Sequence, residues 1–420
     1  MNVFLKNNEF KKFSIASFLS TTGDILFYLA LMTYASKLNN YTLALSLIAI
    51  SESVPKLFSV FGGFLADKTK NKFKTLFLMA VVRFLLYSLV GILFITNISE
   101  WNLVIMVIII NFISDTIGSY STGLAAPLLV NIVGEKDFAE AEGFASGVSE
   151  IINTCAQFLG AGLLLFLSYS NLAFINAVTF LLAGFLYVSV GLKHKKSSNE
   201  VINQTNDKGF IETMKTSYTQ AKKEHGLLTI VLIIALVNGI LTTIGALIPI
   251  VAAASRSTMI IYNYSFTVAL VGVVVGIGAT IGSLFGPQLF KKMSIFNVII
   301  ITLVLSIMTT VAAFIANIKL ILAVYFLMAI AISVGSIKMS QWLVTTVDRN
   351  ILGSTIGLLN TILLAVAPIL TTTVTSLAGV TGVKYALVLL TAIEVITLFV
   401  AVRVTLKNLN VKKVKYSIEK

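Results

Sequence analysis

Apolar residues run along this chain in long blocks rather than in alternation. Twelve stretches of about 20 or more residues are dominated by Leu, Ile, Val, Phe, Ala and Gly: roughly 13–36, 42–66, 74–97, 102–131, 142–168, 171–192, 226–254, 261–290, 294–316, 319–345, 352–378 and 382–405. A helix needs about 20 apolar residues to cross the hydrocarbon core of a bilayer. Strands are excluded as the spanning element, because open sheet edges are not viable in lipid. The pattern predicts an all-α membrane protein with twelve transmembrane helices. Its longest polar stretch, KHKKSSNEVINQTNDKGFIETMKTSYTQAKKEH at 193–225, divides the chain. An N-terminal six-helix bundle is expected over 1–192, a linker over 193–225, a C-terminal six-helix bundle over 226–405, and a basic tail over 406–420. Residues 209–224 have the pattern of a short amphipathic helix lying on a membrane surface.

Charge fixes the expected orientation. Of the 31 Lys and Arg residues, 24 fall in the N-terminus, the even-numbered connections and the tail, and four fall in the odd-numbered connections: Lys37, Arg256, Lys319 and Lys384. Basic connections stay in the cytoplasm, so both termini and the linker are expected there, beside anionic lipid headgroups. The net charge of +13 is thereby a topology signal, and nucleic acid is not an expected partner. Composition agrees: 57% of residues are hydrophobic and 12% charged, against about 45–50% and 25% in a soluble domain. The opening MNVFLKNNEFKK lacks a small-residue cleavage site, so the first apolar stretch is expected to remain as a helix. Cys155, the one cysteine, reads as a small buried filler. His194 and His225 read as solvated loop residues, and no metal or cofactor site is expected. Lysine outnumbers arginine 27 to four, and with abundant Ile and Asn this suggests a bacterial plasma membrane.

Between the second and third stretches stands GGFLADKTKNKFK. It resembles the loop signature of the major facilitator superfamily, approximately G-x-L-a-D-R-x-G-R-R/K. Gly63, Leu65, Ala66, Asp67, Lys68 and Lys72 match in type, and Lys70 replaces the preferred glycine. The resemblance implies two pseudo-symmetric six-helix bundles and a gating role for Gly63, Asp67, Lys68 and Lys72. A carboxylate such as Asp67 is stabilised at the N-terminus of a neighbouring helix. GPQLFKK at 286–292 is a weaker echo in the second half. STTGDILFYLAL (20–31) is similar to the S-x-x-G-D stretch of the drug, macrolide and siderophore exporters, and SVPKLFSVFGGFLAD keeps the proline of that branch. Two departures stand out: Asp115 occupies the position of an antiporter arginine, and Gln157 that of a proline.

Charges inside apolar stretches cost at least about 2.5–3.5 kcal/mol each at mid-bilayer. The acids are Asp24, Glu52, Asp115, Glu150 and Glu394, and the bases are Lys56, Arg83 and Lys338. Acids outnumber bases, so some carboxyls are expected to bind and release protons. Asp24 and Asp115 lie near the middle of their stretches. By the resemblance they face a central cavity, with Lys338 nearer the cytoplasm. Glu52 and Lys56 are one helical turn apart, acid first, the better order for a helical pair; the pair reads equally as structural or functional. Pro55 is expected to bend the helix there. Glu150 is expected near the interface of the halves, and Arg83 and Glu394 are possible further members, Arg83 as a structural partner. Asn111, Asn153, Gln157, Asn238 and Gln341 are the expected sparse polar lining.

These features point to a secondary transporter. The expectation is proton-coupled antiport exporting a lipophilic, cationic small molecule, as a multidrug or macrolide efflux protein does by alternating access. The expected partners are that solute, protons and membrane lipid, and the expected state is a monomer. A nutrient-uptake symporter stays open, as does a lipid flippase or a non-transporting immunity or sensor protein of the same fold. No His/Cys cluster, G-x-S-x-G elbow or phosphate-binding loop suggests an enzyme.

Overall fold

A computed structural model describes residues 2–58, 69–192, 227–290, 292–346 and 352–418. Every described element is a helix: α1 (Asn2–Lys6), α2 (Asn8–Ala35), α3 (Tyr41–Ser53), α4 (Lys72–Leu93), α5 (Glu100–Val133), α6 (Glu135–Leu163), α7 (Tyr169–Gly191), α8 (Leu227–Ala254), α9 (Arg256–Met259), α10 (Tyr264–Leu289), α11 (Ile295–Phe314), α12 (Ile318–Thr346), α13 (Leu352–Thr381) and α14 (Val383–Ile418).

Eleven of the twelve apolar stretches overlap one helix each, and the second, 42–66, begins on α3 and runs past the described residues after Phe58. Nine helices among the described residues are long and apolar enough to cross a membrane, so the protein is a multi-pass membrane protein. The other three stretches have separate reasons for falling outside that nine. Helix α3 has 13 residues before a turn at Val54; helix resumes at Pro55 and runs to the last described residue, Phe58. That interruption is the effect expected of Pro55, which suits the first position of a helix and not its interior. Helix α6 opens with Glu135, Asp137, Glu140 and Glu142, too polar for hydrocarbon. In α13 the apolar part described is the shorter segment Ala365–Thr381.

Helix ends follow local chemistry. The Asn7 side chain accepts hydrogen bonds from the Glu9 and Phe10 backbone N–H groups, both at 3.0 Å, as an N-cap does. Its amide also donates to the Ile132 carbonyl (3.1 Å). Ser168 and Ser294 cap α7 and α11 in the same way. Gly134 separates α5 from α6 with φ 78° and ψ 161°, a conformation open essentially to glycine alone. Helix α6 starts seven residues before the apolar stretch at 142 because its acid-rich first turns pack on α1. Glu140 accepts a hydrogen bond from the Val3 N–H (3.3 Å), and Phe4 meets Phe144 with ring centroids 4.5 Å apart. Helix α14 continues through the basic segment to Ile418.

The chain forms two compact units. Among the described residues, one holds 2–192 with 261–273 and the other holds 227–260 with 274–418. In the first unit α7 packs along both α2 and α4. Phe27, Tyr87 and Phe180 meet at its centre, with ring centroids 5.0 and 5.5 Å apart. Gly23 makes the approach of α7 to α2 possible, since a Cβ there would collide with Asn176 and Thr179. In the second unit α8 packs on α13, and α11 packs on α12 and α14. Cys155 corrects an expectation: it is exposed on α6. Helical geometry turns its neighbour Ala156 to the packed side instead, where that residue is 2% exposed.

Candidate functional site

The first unit carries a cluster of charged side chains from four helical segments. Arg83 on α4 is its centre, with a side chain 7% exposed. One guanidinium nitrogen, Nη2, donates to both carboxylate oxygens of Asp24 on α2, at 3.0 and 2.9 Å. Nε donates to the Ser114 hydroxyl of α5 (2.8 Å), and Nη1 to the Ser20 hydroxyl of α2 (3.3 Å). The same Nη2 stands 3.9 Å from Asp115 Oδ1. The guanidinium lies over the Phe180 ring, 3.8 Å from its centroid, and against Gly118. Arginine suits this place because its planar fork spreads several donors while its face stacks on an aromatic ring.

A second carboxylate pair is joined through one amide. Asn111 Nδ2 donates to Glu52 Oε1 and to Asp115 Oδ2, each at 2.9 Å. Tyr87 donates its hydroxyl proton to Asn111 Oδ1 at 2.6 Å. That bond fixes which end of the amide faces the acids, because a tyrosine donor selects the oxygen. Lys56, exposed on the segment after Pro55, acts electrostatically on Glu52 and Asp115. Tyr28, one turn along α2 from Asp24, feels the charges of the same two acids.

Three carboxyls, Asp24, Glu52 and Asp115, are thus gathered around Arg83 with Lys56 nearby. The side chain of Asp24 is 34% exposed and that of Asp115 is 18% exposed, so both keep an open face. Like charges held this close resist simultaneous ionisation.

The other sequence candidates separate from this cluster. Glu150 is exposed on α6. Lys338 lies part-buried on α12 and Glu394 wholly buried on α14, both in the second unit. Gly63, Asp67 and Lys68 lie outside the described residues; Lys72 starts α4 and donates to the Thr69 carbonyl (3.0 Å). Of the expected polar lining, Asn111 is central to the cluster. Asn238 is exposed, Asn153 and Gln157 are part-buried, and the Gln341 side chain lies outside the described residues. Arg83, expected as a structural partner, does pair across to a neighbouring helix, and the neighbour is Asp24. The surplus of acids over bases pointed to carboxyls left without a partner, and nothing in the order of residues said that two of them would lie beside Arg83. Tyr87 carried no sequence signal at all.

Comparison with known proteins agrees with this architecture. Similar solved structures include the nucleoside transporter NupG (TM-score 0.68, 13% identity, covering 94% of this chain and 98% of that one). A POT family transporter in complex with a thioalcohol-conjugated peptide is also similar (TM-score 0.68, 10% identity, 95% and 96%). So is a bacterial homologue of the iron transporter ferroportin in an inward-facing state (TM-score 0.64, 13% identity, 94% and 98%). At these identities the likeness is one of fold. No curated protein sequence matches the chain. A family model, however, matches residues 13–372, most of the length, and by that match the chain belongs to the Major Facilitator Superfamily.

Proposed function

We propose that this transporter moves a lipophilic cation outward across a bacterial plasma membrane in exchange for protons, with the Asp24–Arg83–Asp115–Glu52 cluster as the coupling site. The observation that carries the reading is the sharing of Arg83. Its Nη2 is bonded to Asp24 at 2.9 Å and stands 3.9 Å from Asp115, so two carboxylates compete for one guanidinium. A proton arriving on Asp24 cancels that bond and frees Arg83 to close on Asp115. A cationic solute held by the remaining carboxylate then loses its counter-charge and leaves. Loss of the proton on the other side returns Arg83 to Asp24.

The driving force is sufficient. Inward proton movement releases about 2.3 kcal/mol per 100 mV of membrane potential and about 1.4 kcal/mol per pH unit. The outward direction rests on the exporter-like stretches at 20–31 and 53–67. A symporter that takes its solute inward would use the same cluster.

The test uses the protein in proteoliposomes with an imposed pH gradient and a fluorescent lipophilic cation. Asp24→Asn and Asp115→Asn should each abolish gradient-driven movement while the protein remains folded in the bilayer. Unchanged transport in both variants would remove the mechanism. A screen of lipophilic cations and macrolides in a pump-deficient host, with and without an uncoupler, separates efflux from uptake: export lowers accumulation and the uncoupler restores it.

A further inference from the structure

Glu394 belongs to no part of the cluster, yet it is the most deeply buried acid among the described residues, with no exposed surface. It sits on α14 against α11. The Thr310 hydroxyl donates to Oε1 at 2.9 Å, and Oε2 is buried with no hydrogen-bond partner. Ser306, one turn before Thr310, adjoins the carboxyl. Its hydroxyl donates to the Leu303 carbonyl (2.9 Å), and Oε2 receives no hydrogen bond from it.

Among the described residues, the helices packed against this carboxyl bring it no counter-charge. Helices α8, α11 and α13, which pack against α14, hold no Asp, Glu, Lys, Arg or His within their bounds. On α14 itself the nearest charges are Lys384 and Arg403, ten residues before and nine after. At about 1.5 Å per residue each lies more than two helical turns away. An ionised carboxylate wants a cation or donors on both oxygens; this site supplies one donor. A carboxylic acid wants a donor on its carbonyl oxygen and an acceptor for its hydroxyl. Thr310 is that donor, on Oε1, and Oε2, which accepts from no group, is the oxygen left to carry the proton.

We infer that Glu394 is a proton-binding site in the second unit, occupied as a neutral carboxylic acid in the conformation described here and separate from the acidic cluster of the first. Release of that proton requires the seam between α11 and α14 to open to a base or to water. A shallow apolar groove of about 510 Å³, lined by Val311 and Phe314 of α11 and by Val388, Thr391, Val395 and Ile396 of α14, runs beside the seam. It seats a lipophilic reagent against the same two helices, and the opening that releases the proton admits that reagent to the carboxyl.

Two measurements on the full-length protein in lipid nanodiscs decide the matter. The wild-type minus Glu394→Gln infrared difference spectrum at neutral pH should contain the carbonyl stretch of a protonated carboxylic acid, moved by exchange into ²H₂O. The same band should persist when Asp24→Asn and Asp115→Asn are present in both members of the pair, so its fate is independent of the coupling cluster. The antisymmetric stretch of a carboxylate in its place, with or without added sodium, would overturn the inference. The second measurement needs no variant. Dicyclohexylcarbodiimide adds the acid O–H across one C=N bond, giving an O-acylisourea that rearranges to a stable N-acylurea, and an ionised carboxylate brings no proton for that addition. Peptide mass spectrometry should find the adduct on Glu394 at neutral pH, and a Glu394 peptide left unmodified would count against the assignment.

Discussion

Arg83 on α4 reaches across to Asp24 on α2 and donates from a single nitrogen to both carboxylate oxygens, at 3.0 and 2.9 Å. The pair is buried on the arginine side and partly open on the aspartate side. Breaking such a pair from one end leaves a charge without its partner. Arg83→Ala should cost roughly 3 kcal/mol, the low end for a buried pair, because Asp24 keeps an open face. Arg83→Ala with Asp24→Asn should cost clearly less than the two single changes added together. Thermal unfolding in detergent, followed for all four proteins, checks this; strict additivity would mean that the pair is not coupled.

Tyr87 should matter through Asn111 rather than through packing alone. Tyr87→Phe keeps the ring contacts with Phe27 and Phe180 and removes only the bond to Asn111 Oδ1. Its stability cost should be about 0.5–1.5 kcal/mol. Its effect on transport should be larger, since the amide no longer holds Glu52 and Asp115 together. Paired unfolding and transport assays measure the two; a variant with full transport would show that the orientation of Asn111 is unimportant.

Gly134 isolates a backbone effect. A Cβ at this position meets nothing within 4 Å, while φ stays at 78°. Gly134→Ala should therefore lose about 1–3 kcal/mol from backbone strain alone, with no collision involved. An unfolding midpoint equal to that of the wild type would contradict this.

Orientation is testable without any knowledge of the substrate. With 24 basic residues assigned to one face and four to the other, both termini should lie in the cytoplasm. A fluorescent protein that matures only in the cytoplasm, fused at either end, should be bright. An alkaline phosphatase fused at either end should be inactive. The reverse pattern would invert the topology.

Much of the helical layout was legible because lipid is a demanding solvent. A backbone crossing it must satisfy its own hydrogen bonds, so long apolar blocks become helices regardless of their neighbours. Pro55 marked an interruption, and Gly23 stood beside Asp24 where α7 comes close. Asp24, Glu52 and Asp115 were recognisable as costly charges inside apolar stretches. The rotation of each helix was not legible. Stretches such as α5 and α7 are apolar nearly all round, because one side faces lipid and the other faces protein. Periodicity therefore gave no inward face on which to place Arg83 or Glu394.

The sequence by itself determined that this chain crosses a membrane repeatedly as helices and carries more acid than base within its apolar stretches. The local free energy of transfer into hydrocarbon is large enough to dictate both. Only the tertiary structure decided that Arg83 lies between Asp24 and Asp115 while Glu394 accepts from the Thr310 hydroxyl and meets no cation among the described residues of the helices around it. Partners across helices are chosen by which faces meet, and that depends on packing among residues far apart in the chain.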